Sequence, residues 1–138
     1  MFINISWKGK LAFEAETESG HRILLDANPE VGGEDKGPRP MELLLVSLAG
    51  CTGMDVASIL KKKRVNLEGL TIKIRAERAP QHPKYFTTID IEYTFRGKEI
   101  KEEDVKQAIE LSRDKYCSVA AMLKEKAAIS YRWNIANE

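Results

Sequence analysis

The chain is short of the residue types that announce a metal, a nucleotide or a charged partner. It contains 138 residues with only two cysteines and two histidines, and 22 basic residues against 21 acidic ones leave a formal net charge of +1. His21 and His82 sit beside turn residues and far along the chain from either cysteine, so no zinc site is expected. A balanced charge excludes the clustered basic surface that displaces counterions, and neither nucleic acid nor an anionic membrane is an expected partner. The one basic run, Lys61 to Arg64, ends a predicted helix, where cations complement the dipole.

Other absences narrow the field further. There is no glycine-rich phosphate loop, no Ser-His-Asp cue and no dinucleotide fingerprint, so chemistry without a cofactor is expected. No uninterrupted apolar run approaches the ~18 residues of a membrane-spanning helix. The opening MFINISWKGK lacks a basic segment followed by an apolar one, which points to the cytoplasm. In that reducing compartment a cysteine pair is seldom a structural staple, which leaves buried bystanders, ligands or chemistry.

What is present fits one globular domain over residues 1–138, with 43% hydrophobic and 31% charged residues. Such a length buries a sizeable core without disulfides or metals. Phe2 to Trp7 and Leu11 to Ala15 alternate, with Ile3, Ile5 and Trp7, then Leu11, Phe13 and Ala15, on one side. Gly9 separates them, and Ser19-Gly20 turns the chain into a third strand at His21 to Leu25. Ala27 to Pro40 has no periodicity and reads as a long functional or mobile loop.

From Pro40 a long helix runs through PMELLLVSLAGCTGMDVASILKKK, with proline and glutamate in its first turn and lysines at its end. Met41 to Ala49 is apolar on nearly every side, so sheet must cover one flank and another subunit the rest. Leu70 to Glu77 and Ile89 to Phe95 alternate as an antiparallel hairpin joined through Pro80 and Pro83. A second helix spans about Glu102 to Tyr116, with Val105, Ala108, Ile109 and Ser112 at helical spacing; a third starts at Val119. A final strand turns Ile129, Tyr131, Trp133 and Ile135 inward. Strands and helices do not alternate, which predicts an α+β fold in the order β-β-β-α-β-β-α-α-β.

Cys51 lies in the apolar helix between Gly50 and Gly53, two glycines that each cost about 1 kcal/mol relative to alanine. They open room beside the sulfur, for close helix packing or for a substrate. Asp55, one turn on, sets a like charge beside any thiolate there, so a reactive Cys51 requires a nearby cation, with Arg39, Arg22 and Lys8 as candidates. Cys117 falls where one helix ends and another begins, with Arg113 and Lys115 close in sequence, a setting expected to favour its thiolate.

GPRPMELLLVSLAGCTGMDVASILKKK resembles the central helix of the OsmC/Ohr superfamily, and KYCSVAAMLKEKAAISY resembles that family's second-cysteine motif. The resemblance covers nearly the whole chain. It implies an intertwined homodimer whose long central helices pack between two antiparallel sheets. It also implies a cysteine-based peroxidase acting on organic hydroperoxides, hydrogen peroxide or both. Cys51 carries over as the attacking thiolate, which becomes a sulfenic acid, and Cys117 as the resolver that closes a disulfide, with an external dithiol as reductant. Leu44, Leu48 and Met54 are nominated as an apolar substrate lining.

Two positions depart from the family pattern. The glutamate expected ten residues before the cysteine is Met41 here, and the adjacent Glu42 lies about 13 Å from Cys51 along a straight helix, on roughly the opposite face. Lys8 and Lys10 stand where the early hairpin supplies an arginine, leaving Arg39, between Pro38 and Pro40, as the substitute. These departures indicate a less characterised branch. The rival reading is a dimeric binding or structural protein with silent thiols; a thiol-disulfide oxidoreductase would ordinarily carry a C-x-x-C pair, which is absent.

Overall fold

The computed structural model describes all 138 residues. The chain divides into two compact units, Met1–Val46 and Ser47–Glu138, and the boundary falls within the long helix. The first unit is built on a meander of β1 (Ile3–Trp7), β2 (Phe13–Thr17) and β3 (Arg22–Leu25), paired antiparallel in that order. Trp7 faces Phe13, and Phe13 faces Leu25, which puts the apolar members of the three strands in one row. Ile3, Ile5 and Trp7, which alternation points to one side, are all more than half exposed within the chain.

The unperiodic loop after β3 is tightly bound to itself. Asp26, only 3% exposed, accepts backbone N–H bonds from Ala27 at 2.7 Å and from Glu34 and Lys36 at 3.2 Å each. Asn28 caps a short 3₁₀ turn at Pro29–Val31 through the Glu30 N–H. The loop ends at α1 (Pro40–Lys62), where the Glu42 carboxylate reaches back to the Arg39 N–H at 2.9 Å, the glutamate half of a capping box.

In the second unit the sheet has the order β4 (Asn66–Arg78), β5 (Phe86–Lys98), β6 (Ala128–Asn137). The β4–β5 hairpin is antiparallel, as the alternation predicts, but β6 runs parallel to β5, so this sheet is mixed rather than antiparallel. The connection explains the difference. Between β5 and β6 the chain makes α2 (Glu102–Leu111), a π-helical turn (Ser112–Tyr116) and α3 (Ser118–Leu123), a crossover that returns it to the starting end of β5. Central β5 carries the core: Ile89, Ile91, Tyr93 and Phe95 are fully enclosed, with Val105, Ala108 and Ile109 of α2 also buried.

Within this unit α1 buries Leu48, Thr52, Val56 and Leu60, a single stripe at four-residue spacing. Val46 and Met54 remain 62% and 76% exposed, so the chain alone covers one flank of a helix that is apolar on several. An 18-residue stretch of α1 has a mean hydropathy of 1.8, so by length and composition this helix is long and apolar enough to cross a membrane, although polar residues interrupt its apolar run. Its Thr52 and Asp55 side chains are hydrogen-bonded to other elements of the same chain, as suits a core helix.

Candidate active site

Cys51 reaches the site from the middle of α1, and Cys117 from the junction of the π-helical turn with α3. The π turn closes through the Cys117 N–H to the Ser112 carbonyl at 2.8 Å. It inserts the extra residue that swings the chain out of α2, and such turns recur at functional sites. Cys117 is then the N-cap of α3, its sulfur accepting the Ala120 N–H at 3.4 Å.

The two cysteines, 66 positions apart in sequence, converge. Cys51 Sγ, Cys117 Sγ and a carboxylate oxygen of Asp55 all lie within 4.8 Å of one another, and both thiols are free. Cys51 is partly exposed, whereas Cys117 is 4% exposed. Asp55 follows Cys51 by one turn and therefore shares its face of the helix. Two thiols and a carboxylate this close together are also a set of donors that could hold a metal ion. Counting histidines could not reveal that grouping.

Asp55 is held from behind by a buried row of hydroxyls. Ser112 Oγ donates to Asp55 Oδ2 at 2.9 Å, Ser112 and Thr52 are 2.8 Å apart, and Thr52 and the Tyr93 phenol 2.7 Å apart. Burial pushes the Tyr93 phenol well above its ordinary range, so it remains a donor. No buried side-chain polar atom lacks a partner. Thr52, Tyr93 and Ser112 escape a sequence reading because their meeting depends on three elements distant in the chain.

The expectation that Cys117 sits in a thiolate-favouring setting is overturned. Burial, joined by neighbouring Cys51 and Asp55, pushes its thiol up to about 11. The cations that sequence places beside it face elsewhere: Arg113 grips Asp114 through two bonds of 2.7 and 2.9 Å, and Lys115 lies 5.2 Å from the Tyr116 ring centre.

The cations nominated for Cys51 all belong to the first unit. Arg39 is bound to the Asp35 carboxylate and, at 3.2 Å, to the Gly37 carbonyl. Arg22 lies 4.0 Å from both Glu14 and Glu16. Glu42 is engaged at the start of α1, as described above. Of the nominated lining, Leu48 is fully enclosed, Leu44 is 40% exposed, and Met54 edges a groove of about 170 Å³ shared with Asp55, Ser58, Ile59, Lys62 and Tyr116. That groove runs beside Asp55 and the residue preceding Cys117.

The same arrangement of elements recurs in known proteins. The chain is 37% identical over 135 residues to protein YhfA of Escherichia coli K12, covering 98% of each chain. A crystal structure of a hypothetical protein from Aquifex aeolicus superposes with a TM-score of 0.87 at 36% identity, over 99% of this chain and 96% of that one. An organic hydroperoxide resistance protein from Legionella pneumophila shares the fold at a TM-score of 0.69 and 13% identity, over 96% and 95% of the two chains. Residues 33–132, which include both cysteines, match the model of the OsmC-like proteins, and the chain belongs to that family.

Proposed function

We propose that the protein is a thiol-dependent hydroperoxide reductase in which Cys51 attacks the peroxide and Cys117 resolves the product. The observation that carries this reading is the pairing of a partly exposed thiol with a buried one inside 4.8 Å. An attacking thiol must be met by substrate, while a resolving thiol has only to meet its partner.

The chemistry balances without a cofactor. The Cys51 sulfur takes the distal peroxide oxygen, the O–O bond breaks, and the alcohol or water leaves, giving a sulfenic acid. Cys117 then displaces that oxygen as water and a disulfide forms, which an external dithiol reduces. The groove beside Asp55, walled in part by Met54, Ile59 and Tyr116, is the nearby space in which an organic hydroperoxide could be held. Arg39 and Glu42 remain candidates for activating Cys51 within an assembly. We further propose that the protein acts in the cytoplasm as a homodimer; Val46 and Met54 on α1 and, separately, Ile5 and Trp7 on β1 are exposed apolar side chains that a second copy would cover.

The test is a stoichiometric dose of cumene hydroperoxide or hydrogen peroxide to the reduced protein. The expected product has lost both free thiols and 2 Da, the two thiol hydrogens, and its mass map joins Cys51 to Cys117. Cys51→Ser should abolish peroxide consumption, and Cys117→Ser should allow one turnover that stops at the sulfenic acid. Intact thiols after prolonged exposure would establish instead a family member that binds or builds without redox chemistry. Reduction of insulin without any peroxide would mark a thiol-disulfide oxidoreductase.

A further inference from the structure

The row of hydroxyls ending at Asp55 has a direction. A carboxylate only accepts, so Ser112 spends its single proton on Asp55. Thr52 must then donate to Ser112, and Tyr93 to Thr52. Three donors in series, fixed from one end, hold a carboxylate that lies within 4.8 Å of both sulfurs. That separation is closed by a side-chain rotation or by one water, the reach a general base needs.

Resting on the peroxidase reading, we propose that Asp55 is the proton carrier of the resolving step, taking the thiol proton of Cys117 as that sulfur attacks the Cys51 sulfenic acid. The Cys117 sulfur forms the S–S bond while the S–O bond of Cys51 breaks. The proton held by Asp55 passes to the departing hydroxide, which leaves as water. The Cys51 sulfur regains one of the electrons it gave to the peroxide, the Cys117 sulfur gives one up, and Asp55 ends as it began.

Magnitude favours this route over a preformed thiolate. With its thiol pushed up to about 11, Cys117 is overwhelmingly protonated at pH 7. A positioned base removes that dependence, typically worth about a hundredfold or more. The negative charge that looks adverse beside an attacking thiolate is thereby given a task one step later.

The experiment follows single turnovers of wild type, Asp55→Asn and Asp55→Glu across pH, trapping the sulfenic acid with dimedone and the disulfide by mass. In wild type the disulfide should form at a rate that varies little with pH. In Asp55→Asn the sulfenic acid should persist about 100-fold longer at pH 7, and the deficit should shrink about tenfold per pH unit, so that the two proteins converge at about pH 9. Asp55→Glu, which keeps a carboxylate, should recover most of the rate. Resolution by Asp55→Asn at the wild-type rate, or slowed by one factor at every pH, overturns the proposal while leaving the peroxidase reading intact. Failure of wild type to form any disulfide overturns the peroxidase reading and this step together.

Discussion

Ser112 on the π-helical turn and Asp55 on α1 are joined by a 2.9 Å hydrogen bond that ties the two cysteine-bearing segments together. Fifty-seven positions of sequence separate the pair, and the bond lies next to both sulfurs.

The direction of the hydroxyl row makes its members unequal. Ser112→Ala removes the link to Asp55 and leaves the buried Thr52 proton with no acceptor, at a cost of about 1–3 kcal/mol. Tyr93→Phe removes the end of the row and strands no proton, so its cost should be nearer 1 kcal/mol. Urea denaturation of both variants measures the difference, and an equal or reversed order would show that the row runs the other way.

Asp26 makes the first unit sensitive to acid. The Ala27 N–H, aided by those of Lys36 and Glu34, lowers its carboxyl below the usual value in the folded chain. A lowered folded pKa contributes stability that is fully present above the unfolded value near pH 4 and disappears as pH falls through the folded one. Amide exchange in residues 27–39 should therefore rise as pH drops below about 4, after correction for intrinsic rates, and Asp26→Asn should abolish that pH dependence.

Glu42 presents separable roles. Glu42→Gln keeps the reach-back bond to the Arg39 N–H and should leave the thermal midpoint nearly unchanged. Glu42→Ala loses it and should cost about 1 kcal/mol. A peroxidase rate that falls in both variants, while stability falls only in the second, would assign the carboxylate's charge to chemistry rather than to capping.

Val46→Lys tests the proposed dimer. Lysine favours helix slightly more than valine, and this position is 62% exposed in the chain, so the fold should survive by circular dichroism. Sedimentation equilibrium should show self-association lost. A variant that remains dimeric would place the interface elsewhere.

Most of the architecture could be read from periodicity, because a strand with one covered face and a helix with one buried stripe each leave their period in the sequence. Ile89 to Phe95 and Val105 to Ile109 are such cases. The parallel course of β6 was not legible, since Ile129, Tyr131, Trp133 and Ile135 alternate identically in either direction. Nor was the π turn: Ser112 continues the helical spacing of α2 and is buried as that spacing predicts, while the hydrogen-bond shift begins at the same residue. The setting of Cys117 misled because proximity in sequence is a poor guide to electrostatics. Arg113 is claimed by its own neighbour Asp114, and burial determines the thiol.

The sulfur of Cys117 fastens the first turn of α3 through the Ala120 N–H. A disulfide of about 2.0 Å requires one or both sulfurs to move, and whatever part of that displacement falls to Cys117 draws on the fastening. The leading end of that six-residue helix then rests on the bond from the Ala121 N–H to the Cys117 carbonyl at 3.1 Å and on buried Ala120. Oxidation that shifts the Cys117 sulfur would thus loosen the start of α3 in the same event that joins the two cysteines.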